Sequence, residues 1–514
     1  MSKAARVIKN TGYLYLKMGI TMFTSLFTTR IVLHSLGASD FGIFNIIGGA
    51  IAMLGFLNST LAYATQRFMT YAEGEGQLEK QSQIFNVSLV LHICIATITA
   101  VFQLALMYPL FNGILNIEIH RVFAAKIVYL SLLFSTVVVI VNATYDAVLN
   151  AHENMRFYSI IGVVDSLLRL LVAVICVYIS MDKLIFYGVL MSIIPLISFI
   201  LTRLYCHKLY PECVFLPRKY WNVSIVKEIA SFSGWNFFTA ISSLFSVQGV
   251  GLILNHFYGS ALNAAQGIAV QLNGYLSAFS SNLMKAVNPI IVKNAGARDI
   301  ASMNLITILS SKYSTYLIML FAVPCIIEIN YLLNLWLGEI PRWTQLFCIL
   351  QILQAIILQL SAPVATAVYA QGDIKYYSIF KSILNLLPLL LTYIAFRLGA
   401  EPFWMYILMM VFYAVGGNVI ILLYAYKKCN LTFGCYIKDV ICPVSIILFI
   451  MFILGFLPSI FINESFIRLC LSTVSSLIGF LIGFLCFGLL PIEKDSLKLL
   501  LKNLKTRLLN KKSL

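Results

Sequence analysis

Charge is scarce in this chain. Asp, Glu, Lys and Arg make up 11% of its 514 residues, against 60% hydrophobic residues and a mean hydropathy of +0.91. A soluble domain is about a quarter charged, so a chain this apolar is not a water-soluble core but a polytopic membrane protein. Acidic residues are scarcer than basic ones, 20 against 36, and the net charge is +16. Basic residues flanking membrane spans account for that excess, and no nucleic-acid partner is expected. Catalytic constellations are also lacking. The six histidines (34, 92, 120, 152, 207 and 256) have no metal-ligand spacing, and His152-Glu153 has no HExxH continuation. There is no P-loop, and Gly74-Glu75-Gly76 and Gly416-Gly417 are lone glycine groups. We therefore expect no enzyme, cofactor or metal. The 11 cysteines show no paired spacing. Cys94, Cys176, Cys325, Cys470 and Cys486 fall in apolar runs and read as small buried hydrophobes, without a disulfide framework. The N-terminus shows no small-residue cleavage site, so the first span is expected to be retained.

What the chain does have is long apolar stretches. A span needs about 20 mostly apolar residues, and fourteen such stretches emerge: 11–35, 41–65, 84–112, 122–150, 158–180, 184–206, 228–257, 261–291, 304–337, 343–370, 376–398, 402–426, 437–460 and 465–490. With the N-terminus inside, the inner segments collect Lys208, Arg218, Lys219, Lys427, Lys428 and the tail from Lys494 to Lys512. The outer segments hold Arg121, Lys126, Lys183, Arg342, Arg397 and Arg468. The asymmetry predicts that both termini are cytoplasmic.

The chain also repeats itself. ATYDAVLNAHENMRFYSII at 143–161 returns as APVATAVYAQGDIKYYSIF at 362–380, pairing Ala143 with Ala362, Ala151 with Ala370 and Tyr158 with Tyr377. An offset of 222 pairs Gly12 with Gly234 and Gly37 with Gly259. Six spans separate equivalent points, an even number, so the copies enter the membrane from the same side as parallel repeats. The reading is all-α: a six-helix bundle over 1–207, a basic linker over 208–227 and a second bundle over 228–427. Two additional helices over 437–490 and a basic tail over 491–514 complete it.

Charges inside a bilayer are costly, at least about 2.5–3.5 kcal/mol each, and so face the protein interior or water. Within spans the census names Lys17, Arg30, Arg169 and Lys381. Lys17 shares a helical stripe with Thr21, Thr24 and Thr28, and Asp165 and Arg169 are four apart on one face. By the repeat offsets, Lys17 corresponds to Thr239, Arg30 to Leu252, Asp165 to Leu384 and Arg169 to Pro388. The cationic patch is thus expected to belong to the first bundle. In the second bundle Asn236, Asn263, Gln266, Asn273, Ser277, Gln351 and Gln354 are expected to line a wet cavity as hydrogen-bonding partners for sugar. Helix-stitching amides are the bland reading. Asp146, Asp165 and Glu328 are candidate ion-coupling carboxyls.

The run from Arg30 through Ile-Val-Leu-His-Ser-Leu-Gly37-Ala-Ser-Asp-Phe41-Gly42, then a span and Gln66-Arg67-Phe68, resembles the polysaccharide transporter family. These are Wzx-type flippases of lipid-linked oligosaccharides, within the multidrug/oligosaccharidyl-lipid/polysaccharide (MOP) exporter superfamily. The 6+6+2 arrangement matches over the whole chain. The resemblance implies a multi-pass inner-membrane protein that moves undecaprenyl-pyrophosphate-linked repeat units (O-antigen, capsule or exopolysaccharide precursors) outward by alternating access. It is expected to work as a monomer among membrane lipids, beside a polymerase and chain-length partners. Arg30 and Arg67 fall on the family's recurring arginines, and Gly37 and Gly42 on its first-loop glycines. Lys17, Arg30, Arg67 and Arg169 then become the expected pyrophosphate contacts, and the two extra helices are expected to shape a groove for the lipid tail. A lipid II flippase or a cation-coupled exporter of the same superfamily is the alternative. A membrane polymerase or glycosyltransferase ranks lower, because the outer loops are short and pair no acidic residues.

Overall fold

The computed structural model describes residues 3–52, 55–114, 117–258, 260–337, 340–489 and 493, and among them it is all-helical. The basic tail from Lys494 onward lies outside the described residues. In chain order the helices are α1 (Lys3–Ala52), α2 (Gly55–Glu75), α3 (Leu78–Pro109), α4 (Val122–Ala151), α5 (Met155–Tyr178) and α6 (Lys183–Leu209). A short α7 (Pro217–Tyr220) leads into α8 (Val223–Tyr258), α9 (Ser260–Gly296), α10 (Ile300–Ile327), α11 (Ile329–Leu337), α12 (Thr344–Ala370) and α13 (Lys375–Arg397). The last three are α14 (Trp404–Cys429), α15 (Phe433–Phe461) and α16 (Phe466–Gly488).

Twelve of these helices are long and apolar enough to cross a membrane. The two other long helices are α2 and α9: α9 falls on the expected span 261–291, whereas the expected span 41–65 is divided between the end of α1, past Gly37, and the start of α2. They are polar for a reason visible in sequence: α2 carries Gln66, Arg67 and Glu73, and α9 carries Gln266, Asn273, Asn282, Lys285 and Asn288.

The chain divides into two compact units whose membership crosses the repeat boundary. One comprises Met1–Ser242, Asn282–Met303 and Tyr369–Ser382; the other comprises Ser243–Ser281, Asn304–Val368 and Ile383–Leu514. In the first unit the core gathers Phe85, Val87, Tyr145, Val148, Leu149, Ile229 and Ile374. Here α2 crosses the end of α9 through two glycines. A Cβ at Gly74 would lie 2.1 Å from the Lys293 carbonyl oxygen, and one at Gly296 would lie 2.1 Å from that of Tyr71. Both pairs obey the repeat offset (74 + 222 = 296; 71 + 222 = 293), so each copy contributes the same glycine to the same close approach.

The first loop of the sequence reading is a kink. Gly37 breaks α1 with φ 78° and ψ 168°, a region costly for side-chain-bearing residues. Gly42, in contrast, is ordinary helix with open space around it. Just past the kink, Asp40 accepts from Arg121 Nε at 2.8 Å, and Arg121 Nη1 donates to Asp182 Oδ2 at 2.7 Å. Asp182 in turn caps α6 by accepting from the Leu184 and Ile185 amides.

In the second unit α15 and α16 form a hairpin on small residues. Cβ atoms at Gly479 and Gly483 would fall 3.1 Å from the Ile450 carbonyl and 3.0 Å from Ile447. Free cysteines depart from the reading in part: Cys176 and Cys325 are buried, whereas Cys94, Cys470 and Cys486 are exposed on the apolar exterior, where lipid suits a thiol as well as a core does.

Candidate functional site

The first unit holds an open cavity of about 460 Å3 between α1, α4, α5 and α6. Its walls include Lys17, Thr21 and Ser25 from α1, Asn142 and Asp146 from α4, Tyr158, Asp165, Ser166 and Arg169 from α5, and Ser198 and Thr202 from α6. The helical spacing that puts Lys17, Thr21 and Ser25 on one stripe of α1 brings them here. So do the pairs at four-residue spacing, Asn142 with Asp146 and Asp165 with Arg169.

Two cations meet on one aromatic ring. Lys17 Nζ lies 4.2 Å and Lys285 Nζ 3.7 Å from the Tyr158 ring centroid, and Lys285 also donates to the Tyr158 hydroxyl. Room for Lys17 comes from Gly162, where a Cβ would fall 2.1 Å from Lys17 Cε. Opposite them, Asn142 Nδ2 donates to Asp146 Oδ2 at 3.4 Å, and Lys285 and Lys17 are the cations in electrostatic reach of that carboxylate. Arg169 Nε donates to Asp165 Oδ2 at 2.7 Å, and Ser198 Oγ lies 3.5 Å from Asp165 Oδ1. The Arg169 side chain is 40% exposed, and Arg169 lines the cavity. Lys17 and Arg169 in the walls balance Asp146 and Asp165, and Lys285, behind Tyr158, adds a third cation to the group.

Lys17, Asp146, Asp165 and Arg169, four of the candidates read from sequence, therefore share one cavity. Arg30 and Arg67 do not line it. Arg30 is exposed, less than two turns before the Gly37 kink. Arg67 is 7% exposed and donates from Nε to the Tyr369 carbonyl at 2.9 Å and from Nη2 to that of Ala370 at 2.7 Å, beneath the Phe232 ring. It satisfies the open carbonyls at the end of α12, and Gly372 leaves space for it.

Glu328 is also placed differently. Fully buried in the second unit, it accepts from Arg468 Nη2 at 2.8 Å, Arg468 Nε at 3.0 Å and Ser472 Oγ at 2.7 Å. A carboxylate paired in this way with a guanidinium and a hydroxyl ties the junction of α10 and α11 to α16. The amides expected around a glycan are absent from the walls of the cavity described above. Gln266 is buried with Oε1 against α8, 2.9 Å from where a Gly251 Cβ would stand. Ser277 donates to Asn273 at 3.3 Å on the same helix. Gln354 is buried, Asn236 and Gln351 are partly buried, and the Asn263 side chain lies outside the described residues. The Ser277–Asn273 bond stays within α9, and the buried Gln266 Oε1 has no hydrogen-bond partner among the described residues.

The charge census passes over Lys285 and Lys312, although both lie inside its own spans, 261–291 and 304–337. Lys312 has no exposed surface and pairs with Glu493, which also accepts from the Tyr313 hydroxyl. The missed signal was simply a lysine in an apolar stretch. The repeat comparison follows only the first copy's charges into the second and so leaves Lys381 without a counterpart, which the offset supplies as Gly162 (162 + 219 = 381). Where the first copy has lysine on α1 and glycine on α5, the second has Thr239 on α8 and lysine on α13.

Among solved structures the chain is similar to an outward-facing MATE family multidrug-resistance transporter of the MOP superfamily. The TM-score is 0.68 at 14% identity, covering 84% of this chain and 99% of that one. It is similar to a MOP superfamily transporter from Pyrococcus furiosus described as having a binding pocket of reverse polarity (TM-score 0.67, 14% identity, 83% and 96% covered). A third is the MATE transporter ClbM in complex with Rb+ (TM-score 0.62, 13% identity, 84% and 96% covered). No family model and no curated protein sequence matches the chain. The fold is that of the MATE transporters of the MOP superfamily.

Proposed function

We propose that this protein is an alternating-access transporter of an anionic, lipid-linked glycan: a flippase that carries undecaprenyl-pyrophosphate-linked repeat units to the outer leaflet of a bacterial cytoplasmic membrane. The observation that carries this reading is the convergence of Lys17 and Lys285 on Tyr158, with Lys17, Tyr158 and Arg169 lining a cavity between helices long and apolar enough to cross a membrane. Fixed cations in a low-dielectric site favour a diphosphate over a cationic drug. The cavity volume falls within the range of about 300–1,000 Å3 usual for small-molecule sites, enough for a polar head, while the polyprenyl tail stays in lipid. Inner-membrane placement with cytoplasmic termini, action as a monomer and work alongside a glycan polymerase belong to the same proposal, supported by the Lys/Arg distribution and the resemblance at Arg30–Gly42.

A cation-coupled exporter is the second reading. The oxygens of Asn142, Asp146 and Asp165 in the same cavity favour it. The readings combine if Asp146 carries the coupling ion beside the substrate cations. In cells that depend on this protein for surface polysaccharide, Lys17→Ala and Arg169→Ala should abolish the glycan at unchanged protein level. Normal glycan in both variants would reject the cationic site.

A further inference from the structure

The stretch joining α6 to α8 has an unusual surface. Val214, Phe215, Leu216 and Trp221 are 44%, 47%, 47% and 45% exposed, and Val223 is 56% exposed. Loops in water do not present this much apolar area without a partner. The strap is nonetheless held in place. The fully buried Asn86 on α3 donates from Nδ2 to the Val214 carbonyl at 2.8 Å and accepts from the Leu216 amide at 2.8 Å. This clasp fixes the backbone on both sides of Phe215 and leaves its ring outward.

Between residues 203 and 223 the exposed charge is of one sign, and the nearest exposed carboxylate along the chain is Glu228 on α8, which accepts from Ser224. Arg203, Lys208, Arg218 and Lys219 are exposed, while the carboxylate at Glu212 is 1% exposed and engaged by His152. Beside the strap, at the same end of α6, a second pocket of about 330 Å3 is lined by Ile200, Arg203, Leu204 and His207. It joins the strap through α3, where Phe85 lies edge-on to His207 and is followed directly by Asn86. Apolar side chains, a tryptophan and exposed basic groups at the end of one candidate span, Lys183–Leu209, and on the way to the next, Val223–Tyr258, form the pattern of a surface that lies in a charged lipid interface.

We infer that residues 208–223, together with the Arg203 pocket, bind anionic phospholipid. Phe215, Leu216 and Trp221 enter the headgroup region while Arg203, Lys208, Arg218 and Lys219 hold lipid phosphates. Charge complementarity selects this occupant: a zwitterionic lipid offers the strap's cations no net partner, and an apolar protein partner would leave them uncompensated. The assignment does not depend on what the α1–α4–α5–α6 cavity transports.

The test uses the full-length protein in nanodiscs made with brominated phosphatidylglycerol or brominated phosphatidylcholine. The Trp221 signal is isolated as the difference between wild type and Trp221→Phe. Expected is strong quenching, reached at a lower mole fraction of the anionic lipid than of the zwitterionic one. Arg218→Gln with Lys219→Gln should reduce that preference by about five-fold per charge removed, with far-ultraviolet circular dichroism confirming the fold. Trp221 emission untouched by either lipid would place the strap in water or under a protein and overturn the inference. Equal quenching by both lipids would overturn its anionic selectivity.

Discussion

Raising the pH from 7 to 10 should loosen one end of the first unit through a single imidazole. His152, directly after α4, places Nε2 2.5 Å from Glu212 Oε1 and Nδ1 3.5 Å from Glu73 Oε1, with its ring stacked 4.1 Å from that of Tyr210. Glu73 also accepts from Lys293 Nζ at 2.9 Å and from Gln81 Nε2 at 3.0 Å. Burial alone would lower the His152 pKa, but the two carboxylates override it and raise it to about 9. The His152 hydrogen bond leads in holding Glu73 down at about 2, against its burial and with help from Lys293. A group whose pKa is raised on folding contributes stability that is complete below its unfolded value, near 6.5, and lost as pH climbs through 9. Between pH 7 and 10 the loss is about 2.5 kcal/mol. The Glu73 shift reports largely the same contact, so it is not added; its own contribution disappears only in acid, below about pH 4.5. Hydrogen exchange at the ends of α2 and α9, corrected for intrinsic rates, should show about seventy-fold less protection at pH 10 than at pH 7. In His152→Gln the pH effect should vanish. Unchanged protection in wild type, or the same loss in His152→Gln, would refute the reasoning.

Other perturbations have equally direct outcomes. Arg468→Leu should destabilise the protein by about 3–5 kcal/mol because it strands the buried Glu328 carboxylate, and Glu328→Leu/Arg468→Leu should recover part of that loss; thermal unfolding in detergent reads both. Gly74→Val and Gly296→Val should each cost about 1–3 kcal/mol in the same assay, because a side chain there collides with a backbone carbonyl that no rotamer can move. Gly162→Leu should displace the Lys17 side chain and abolish transport while leaving unfolding temperature nearly unchanged, since the new group enters the cavity.

Much of the cavity was legible in sequence because it obeys helical periodicity. Lys17 with Thr21, and Asp165 with Arg169, recur at one-turn spacing, and a charge in an apolar stretch must face inward or find water. Periodicity says nothing about partners from distant elements. Lys285 reaches Tyr158 across 127 residues, and only the fold brings them together. Glu328 looked like a free intramembrane carboxylate because Arg468, 140 residues away, sits at the start of α16 and was counted among outer basic residues. Arg67 donates to two carbonyls, which sequence does not display. The repeat was legible as an offset, and its physical meaning emerged at Gly74 and Gly296, where two copies of one glycine meet at one crossing.

The most direct measurement of the central claim is transbilayer movement of a defined undecaprenyl-pyrophosphate-linked oligosaccharide by the purified protein in proteoliposomes, compared with Lys17→Gln and Lys285→Gln. The account expects movement by wild type, loss in both variants, and no comparable transport of a cationic drug. Wild-type movement of the drug with none of the glycolipid, or full glycolipid movement by both variants, would contradict it.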